Sequence, residues 1–324
     1  MSRGMRFIVY GAGAVGGVIA ARLHLGGEHV QVVARGEHLD AIRRTGLRLV
    51  TPDDEAVVRI PAGERLADLD VGSDTAVLVA VKSHQTAAVM HDVARSTPPD
   101  VTLVSAQNGV ANEAVLLRGR ANVLGIVVML PSTHLEPGVV LQGSSNRPGL
   151  LDVGGYPSGT SDRAEAVAAG LRAGGFDSVV RPDIMAWKHR KLMLNLGNAA
   201  QATCAPSDER DRLVELAVAE GEAALAAAEI PVISKAEDDA RRGDLLDTSR
   251  MRGRGGGSTW QSLRRGTGDV EVDYLNGEVS LLGRLHDVPT PVNDLLRDAA
   301  WRLAAFRTEP GSLSAADLLE ELTR

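Results

Sequence analysis

Lys191, Asn195 and Asn198 stand at i, i+4 and i+7 in the segment Trp187 to Asn198, a spacing that places all three on one face of a helix. Leu192, Met193, Leu194 and Leu196 occupy much of the remaining girth, so the helix is expected to be buried. A lysine and two asparagines on a buried helix need partners or a cleft, although a solvated polar face is the plainer alternative. The chemistry open to such a lysine is proton donation. A carbonyl that takes a hydride becomes an alkoxide, and a partly desolvated lysine, its pKa lowered toward the working pH, can protonate it. Glu271 is a second candidate. The spacing of Val272, Leu275, Val279 and Leu282 predicts a helix beginning near Asp269, with Glu271 in its first turn. A carboxylate is favoured there by the helix dipole whether or not it has a further role. No metal-ligand cluster is visible in the sequence, so zinc-type Lewis-acid chemistry has no support and no metal is expected.

A second constellation is Gly11-Ala12-Gly13-Ala14-Val15-Gly16, which fits G-x-G-x-x-G. The first glycine permits a tight turn out of a strand. The second lets the backbone approach a pyrophosphate, and the third lets the helix pack on the sheet. The pattern alone is weak, but here it follows the apolar run Arg6 to Tyr10 and opens a helix from about Val15 to Leu25. Gly11, Gly13, Ala14, Val15 and Gly16 are therefore expected to hold a dinucleotide through free helix-start N–H groups. At the end of the next strand, Val30 to Ala34, an NAD site would carry an acid for the ribose hydroxyls; this chain has Arg35, suited to a 2′-phosphate. NADPH is favoured over NADH, with Glu37 as the dissenting residue. Lys82 and Asn108 follow the strand-like runs Thr75 to Val81 and Val101 to Ala106, at the strand ends where open α/β sheets bind ligands.

The elements that must position these residues form two blocks. Strand and helix alternate from Arg6 onward, with helices His38 to Thr45, Thr86 to Ser96 and Ala164 to Ala173. Further strands are expected at Val123 to Met129, Val139 to Leu141, Gly149 to Val153 and Ser178 to Arg181. After Pro182 the pattern is helical only: Ile184 to Thr203, Ser207 to Ala228, Val270 to Leu285, Val292 to Ala305 and a short polar helix from Ser312. The expectation is an α/β Rossmann domain over 1–182 and an all-α domain over 183–324. The Gly- and Arg-rich stretch Ser249 to Ser258 is expected to be a mobile loop.

The totals agree with a two-domain globular enzyme. The chain has 324 residues, 44% hydrophobic, with aromatics at only 3%, so the cores must be built from Ala, Val and Leu. A net charge of −7 argues against a general nucleic-acid partner. No apolar run has the length of a membrane span. Phe7 to Ala21 has the outline of a signal segment, but its glycines fall in the phosphate pattern and no disulfide framework follows. Cys204, the single cysteine, reads as a small buried hydrophobe in a reducing, cytoplasmic setting.

Taken together, GAGAVG at Gly11, VKSHQ around Lys82, QNG around Asn108, RKLMLN from Arg190 to Asn195 and STWQSLRRGTGDVEVDYLNG from Ser258 to Gly277 resemble the ketopantoate reductase family over nearly the whole chain. The resemblance implies NADPH-dependent reduction of ketopantoate to pantoate, in pantothenate synthesis. It makes Lys191 the general acid and Asn195 its substrate-binding neighbour, and Glu271 catalytic or substrate-orienting. It also implies that Lys82 and Asn108 contact cofactor and substrate, and that Ser258 or Thr259 helps to bind the substrate. Three features depart from the family pattern. Asn198 lies seven rather than eight residues after Lys191, Thr replaces Ser at 259, and GNAAQA replaces the usual N-P-x-T-A. These touch substrate contacts, so a different small 2-oxo acid is the alternative substrate. A non-catalytic NADPH sensor is the alternative function, and loss of Lys191 or Glu271 would be its mark. The sequence leaves the oligomeric state open, a homodimer among the options.

Overall fold

The computed structural model describes residues 4–251, 257–266 and 268–323. The chain forms two compact units, Met1–Met185 with Ala236–Arg252, and Ala186–Lys235 with Gly253–Arg324. The sequence places one boundary near Pro182. The units instead part after Met185, and the chain returns to the first unit for one further segment.

In the first unit, strands β1 (Arg6–Tyr10), β2 (Val30–Val33), β3 (Leu47–Val50), β4 (Glu55–Val58), β5 (Ala62–Gly63), β6 (Thr75–Val79), β7 (Thr102–Ser105), β8 (Val123–Met129), β9 (Ser132–Thr133), β10 (Val139–Gln142) and β11 (Leu150–Gly155) form two sheets. The larger has the order β11-β8-β7-β6-β1-β2-β5 and is parallel except for β11 on β8. The chain runs outward from β1 to β2, then restarts at β6 and runs the other way, so the switch point lies at β1. Helices α1 (Ala14–Leu25), α2 (Gly36–Thr45), α3 (Thr86–Ser96), α4 (Asn112–Leu117) and α5 (Asp162–Ala173) accompany it.

The strands read as unbroken apolar runs because both faces are covered. Phe7 and Val9 belong to one buried core with Val18, Leu23 and Leu171, whereas Ile8 and Tyr10 belong to another with Val89, Val93 and Leu116. Each such fully buried Ile or Leu is worth about 1.5–3 kcal/mol. The smaller sheet, β4-β3-β10-β9, packs on α1 and was not expected beyond β10.

The expected strand Ser178 to Arg181 is not a continuous ladder. Only the isolated bridges Leu150–Asp177 and Val153–Val180 form, because the side chain of Asp152 takes the N–H of Val179 at 3.1 Å. Asp152 is fully buried, and Arg181 and Arg241 both donate to it. Arg241 belongs to α9 (Lys235–Arg242), so this pairing ties the returning segment to the sheet unit.

The second unit is helical among the described residues. It comprises α6 (Ile184–Asn195, whose first residues belong to the sheet unit), α7 (Gly197–Thr203), α8 (Asp208–Ala227), α10 (Ser258–Arg265), α11 (Asn276–Leu285), α12 (Pro291–Phe306) and α13 (Ala315–Glu321). Two long helices predicted from sequence are divided. Ile184 to Thr203 breaks at Leu196, whose carbonyl accepts from Asn276 Nδ2 at 3.1 Å. Val270 to Leu285 becomes a 3-10 turn over Val272–Tyr274 followed by α11. Of the expected loop Ser249 to Ser258, Ser249–Met251 is a 3-10 turn and Ser258 begins α10; 252–256 lie outside the described residues. Cys204 is buried, and burial pushes its thiol above the usual range. Among the described residues no helix is long and apolar enough to cross a membrane.

Candidate functional site

In the sheet unit, register fixes the first group of residues. Tyr10 lies beside Val33 and Val79, and Val79 beside Ser105, so β7, β6, β1 and β2 end level. Asn108, Lys82, Gly11 and Arg35 follow those ends along one carboxyl edge. The glycines meet their separate demands. Gly11 has φ +101°, and a Cβ there would lie 2.8 Å from Val81 Cγ1. A Cβ on Gly16 would lie 2.0 Å from the Gly11 carbonyl oxygen and 2.9 Å from Ala80 Cβ, so only glycine lets α1 pack this closely on the sheet. A Cβ on Gly13 would meet nothing within 4 Å. Gly13 caps α1 without a side-chain hydrogen bond, and no acidic residue occupies the first turn. Ala14 and Val15 are half-buried. A helix start with open space at the Cβ position of its capping glycine, no side-chain cap and no acidic residue in its first turn fits a pyrophosphate.

Arg35 is exposed at the N-cap of α2, with its Nη2 3.4 Å from Tyr10 Oη. Tyr10 donates to Asp92 at 3.0 Å, and burial, reinforced by Asp92, pushes its phenol up to about 12, so it remains a neutral neighbour to the arginine. Lys82 and Asn108 stand over a buried polar network that sequence reasoning missed. Asn112 Nδ2 donates to Ser83 Oγ at 3.1 Å and to the Asn108 carbonyl at 3.2 Å. Thr86 Oγ1 donates to Asn112 Oδ1 at 2.8 Å, and Gln107 Nε2 donates to Thr86 Oγ1 at 2.9 Å and to the Val81 carbonyl at 3.0 Å. The network holds the Val81 and Asn108 carbonyls and the side chain of Ser83, which follows Lys82. Its signal in the sequence is a set of amide and hydroxyl side chains beside strand ends, which cannot be told from ordinary turn residues.

In the helical unit, Lys191 and Asn195 share α6, half-buried and buried respectively. Lys188, missed in the sequence reading, precedes Lys191 by one turn and is only 3% exposed. Leu192, Met193 and Leu196 are buried as expected, but Leu194 is 39% exposed, so the apolar girth is narrower than predicted. Asn198 does not continue the α6 stripe. It lies in α7 beyond the break, where its Oδ1 would be 3.0 Å from a Cβ on Gly257, the residue that caps α10. The structure thereby brings Asn198 to the start of α10, beside Ser258, with Thr259 buried in the first turn.

Glu271 does not lie in an α-helical first turn. It precedes the 3-10 turn Val272–Tyr274 and is 7% exposed. Its carboxylate acts electrostatically on Arg265 in α10, whose guanidinium burial pushes down and Glu271 pulls back up. Asn276, at the start of α11, bridges the Leu196 carbonyl and Asn293 Oδ1, holding the α6–α7 break next to Asn195. A half-buried ammonium beside a buried carboxamide can protonate and orient a bound oxyanion or carbonyl.

The sequence model described as "Ketopantoate reductase PanE/ApbA" matches residues 7–155, and that described as "Ketopantoate reductase PanE/ApbA C terminal" matches residues 183–300. A 2-dehydropantoate 2-reductase of Mesorhizobium japonicum is 30% identical, over 94% of this chain and 99% of its own. A 2-dehydropantoate 2-reductase of Pyrococcus horikoshii is 25% identical, over 95% and 99%. Among solved structures, a PanE/ApbA family ketopantoate reductase of Ralstonia eutropha superposes with TM-score 0.77 at 25% identity, covering 94% of this chain and 99% of its own. A D-mandelate dehydrogenase with NADH and anilino(oxo)acetate has the same fold, with TM-score 0.81 at 21% identity, over 94% and 100%.

Proposed function

The chain belongs to the ketopantoate reductase family, a family of oxidoreductases, and from that premise we propose that it reduces ketopantoate to pantoate with NADPH. The observation that carries the reading is the half-buried Lys191 one turn from the buried Asn195, in a chain whose Gly13 opens onto free space at the start of α1.

The nicotinamide, when bound, supplies the hydride. The rest falls to the protein's own residues. The loop N–H groups of Gly13, Ala14 and Val15 hold the pyrophosphate, with Gly11 and Gly16 shaping the turn. Arg35 pairs with the 2′-phosphate. Lys82 and Asn108, braced by the Asn112–Gln107 network, contact cofactor and substrate at the sheet edge. Lys191 gives a proton from Nζ to the oxygen that becomes the hydroxyl. Asn195, Asn198 and Glu271 orient the substrate, and Ser258 or Thr259 receives its carboxylate. The shifted Asn198 still reaches the start of α10, which supports keeping it in the substrate set. The same shift favours a second reading, a different small 2-oxo acid with the chemistry unchanged.

The test is steady-state NADPH oxidation by the purified protein with ketopantoate and a panel of other 2-oxo acids, with NADH as control. The expected result is saturable turnover with NADPH and the highest kcat/KM for ketopantoate. Preference for another acid moves specificity to the second reading. Tight NADPH binding with no turnover on any acid contradicts the enzymatic reading.

A further inference from the structure

His38 lies on α2, three residues after Arg35, and touches the phosphate loop. Its Nε2 is 2.7 Å from the carbonyl oxygen of Ala12, inside the glycine pattern, and its Nδ1 accepts the N–H of Gly138 at 2.9 Å. A carbonyl only accepts and an amide N–H only donates, so one form of the ring satisfies both: neutral imidazole with its hydrogen on Nε2. The Gly138 turn has little room to retreat, since a Cβ there would lie 2.9 Å from Ala41 Cβ at φ +78°. The Ala12 carbonyl faces Gly17, where an added Cβ would lie 2.8 Å from it.

The consequence for the loop follows from peptide planarity. Fixing the Ala12 carbonyl fixes the Gly13 N–H on the opposite side of the same plane, and Gly13 is the glycine where an added Cβ would meet nothing. His134 stands beside the first ring, with centroids 4.3 Å apart and its own Nδ1 2.9 Å from the Val139 carbonyl. We propose that His38 is a positioning residue for dinucleotide binding. As the neutral Nε2–H tautomer it aims the Gly13 N–H at the ligand phosphate, and protonation of His38 loosens that aim. The inference rests on the reading that this loop binds NADPH.

Protonated His38 would set an Nδ1–H against the Gly138 N–H, donor against donor, so the ring or the turn must move. Burial, then His134, hold the His38 pKa below the ordinary 6.5, while the Ala12 carbonyl works the other way. The neutral form therefore prevails at neutral pH, and affinity is lost only as pH falls below 6.5, toward that lowered value. The other charged side chains on the elements around it are Arg35, Glu37, Asp40, Arg43 and Arg44 on its own helix and its cap, and Glu136 in the β9–β10 turn. The glycine loop and β5, which packs on α2, carry none.

NADPH affinity measured from pH ~7.5 to ~5 in the wild type, His38→Gln and His38→Ala tests this. NADH serves as a parallel ligand because a phosphomonoester titrates near pH ~6 itself. The Gln amide offers a donor and an acceptor but does not titrate. His38→Gln should bind within about threefold of wild type at neutral pH and His38→Ala about tenfold more weakly. Toward acid, wild-type affinity for both nucleotides should fall about tenfold further than that of His38→Gln. Nitrogen-15 shifts at neutral pH should show Nδ1 of His38 without a proton. Equal acid slopes in wild type and His38→Gln, wild-type binding by His38→Ala, or a protonated Nδ1 overturns the role of His38 alone. Failure of the wild type to bind either nucleotide at any pH overturns the reading of the loop as well.

Discussion

In the proposed phosphate loop the working groups would be backbone N–H groups, whereas on the lysine helix they would be side chains. Gly11, Gly13 and Gly16 sit within six residues; local geometry demands glycine at 11 and 16, while Gly13 leaves open space where a Cβ would be. Lys191, Asn198, Ser258 and Glu271 come from four separate elements, α6, α7, α10 and the turn before α11, of which α7 packs on α10. The first region depends on what is absent from it, namely Cβ atoms. The second depends on buried polar bridges such as Asn276, which hold the α6–α7 break in place. A backbone site should therefore fail abruptly when atoms are added. A packed side-chain site should lose chemistry by degrees while cofactor affinity survives.

The largest expected effect is at Gly16. Gly16→Val puts atoms onto the Gly11 carbonyl and should destabilise the fold by more than about 3 kcal/mol and abolish NADPH binding, read by thermal unfolding and ligand titration. A variant that folds and binds normally would break the contrast at its strongest point. Arg35→Ala should weaken NADPH by roughly 10–100-fold, about 1.5–3 kcal/mol, with NADH affinity little changed. An equal loss for both nucleotides would detach Arg35 from the 2′-phosphate. Asn276→Ala removes the support of the Leu196 carbonyl and of Asn293, and should cost about 1–3 kcal/mol of stability. It should also lower kcat while leaving the Kd for NADPH unmoved; a raised Kd would show that the two regions are not separable. The smallest effect sharpens the contrast most. Gly13→Ala adds a methyl into open space, so Tm should hold while NADPH affinity falls about tenfold.

The same contrast explains what was legible in the sequence. The apolar runs Arg6–Tyr10, Thr75–Val79 and Val123–Met129 announce doubly covered strands, and the glycine loop declares its own geometry. Beyond β10 the second sheet escaped notice because its strands are short and its central pair, β3 with β10, joins residues far apart in sequence. The alternation of buried Leu47 and Leu49 around exposed Arg48 was the local signal of β3. The stripe Lys191, Asn195, Asn198 was read as one helix because spacing alone cannot reveal that Asn276 interrupts the ladder at Leu196. Glu271 was misplaced for a related reason. The helical period of Val272, Leu275 and Val279 spans a 3-10 turn and a helix that share a buried side but not a register. Lys188 and Asn112 carry no sequence mark, since their burial is a property of packing.

The most direct test of the division between a backbone-built cofactor cradle and a side-chain acid is a single-turnover measurement on Lys191→Ala, with NADPH affinity determined on the same preparation. Hydride transfer to ketopantoate should slow by about 10²–10⁴-fold while the Kd for NADPH stays within about twofold of wild type. Transfer at the wild-type rate would remove Lys191 from the chemistry, and a loss of NADPH affinity matching the loss of rate would contradict the separation of binding from proton transfer.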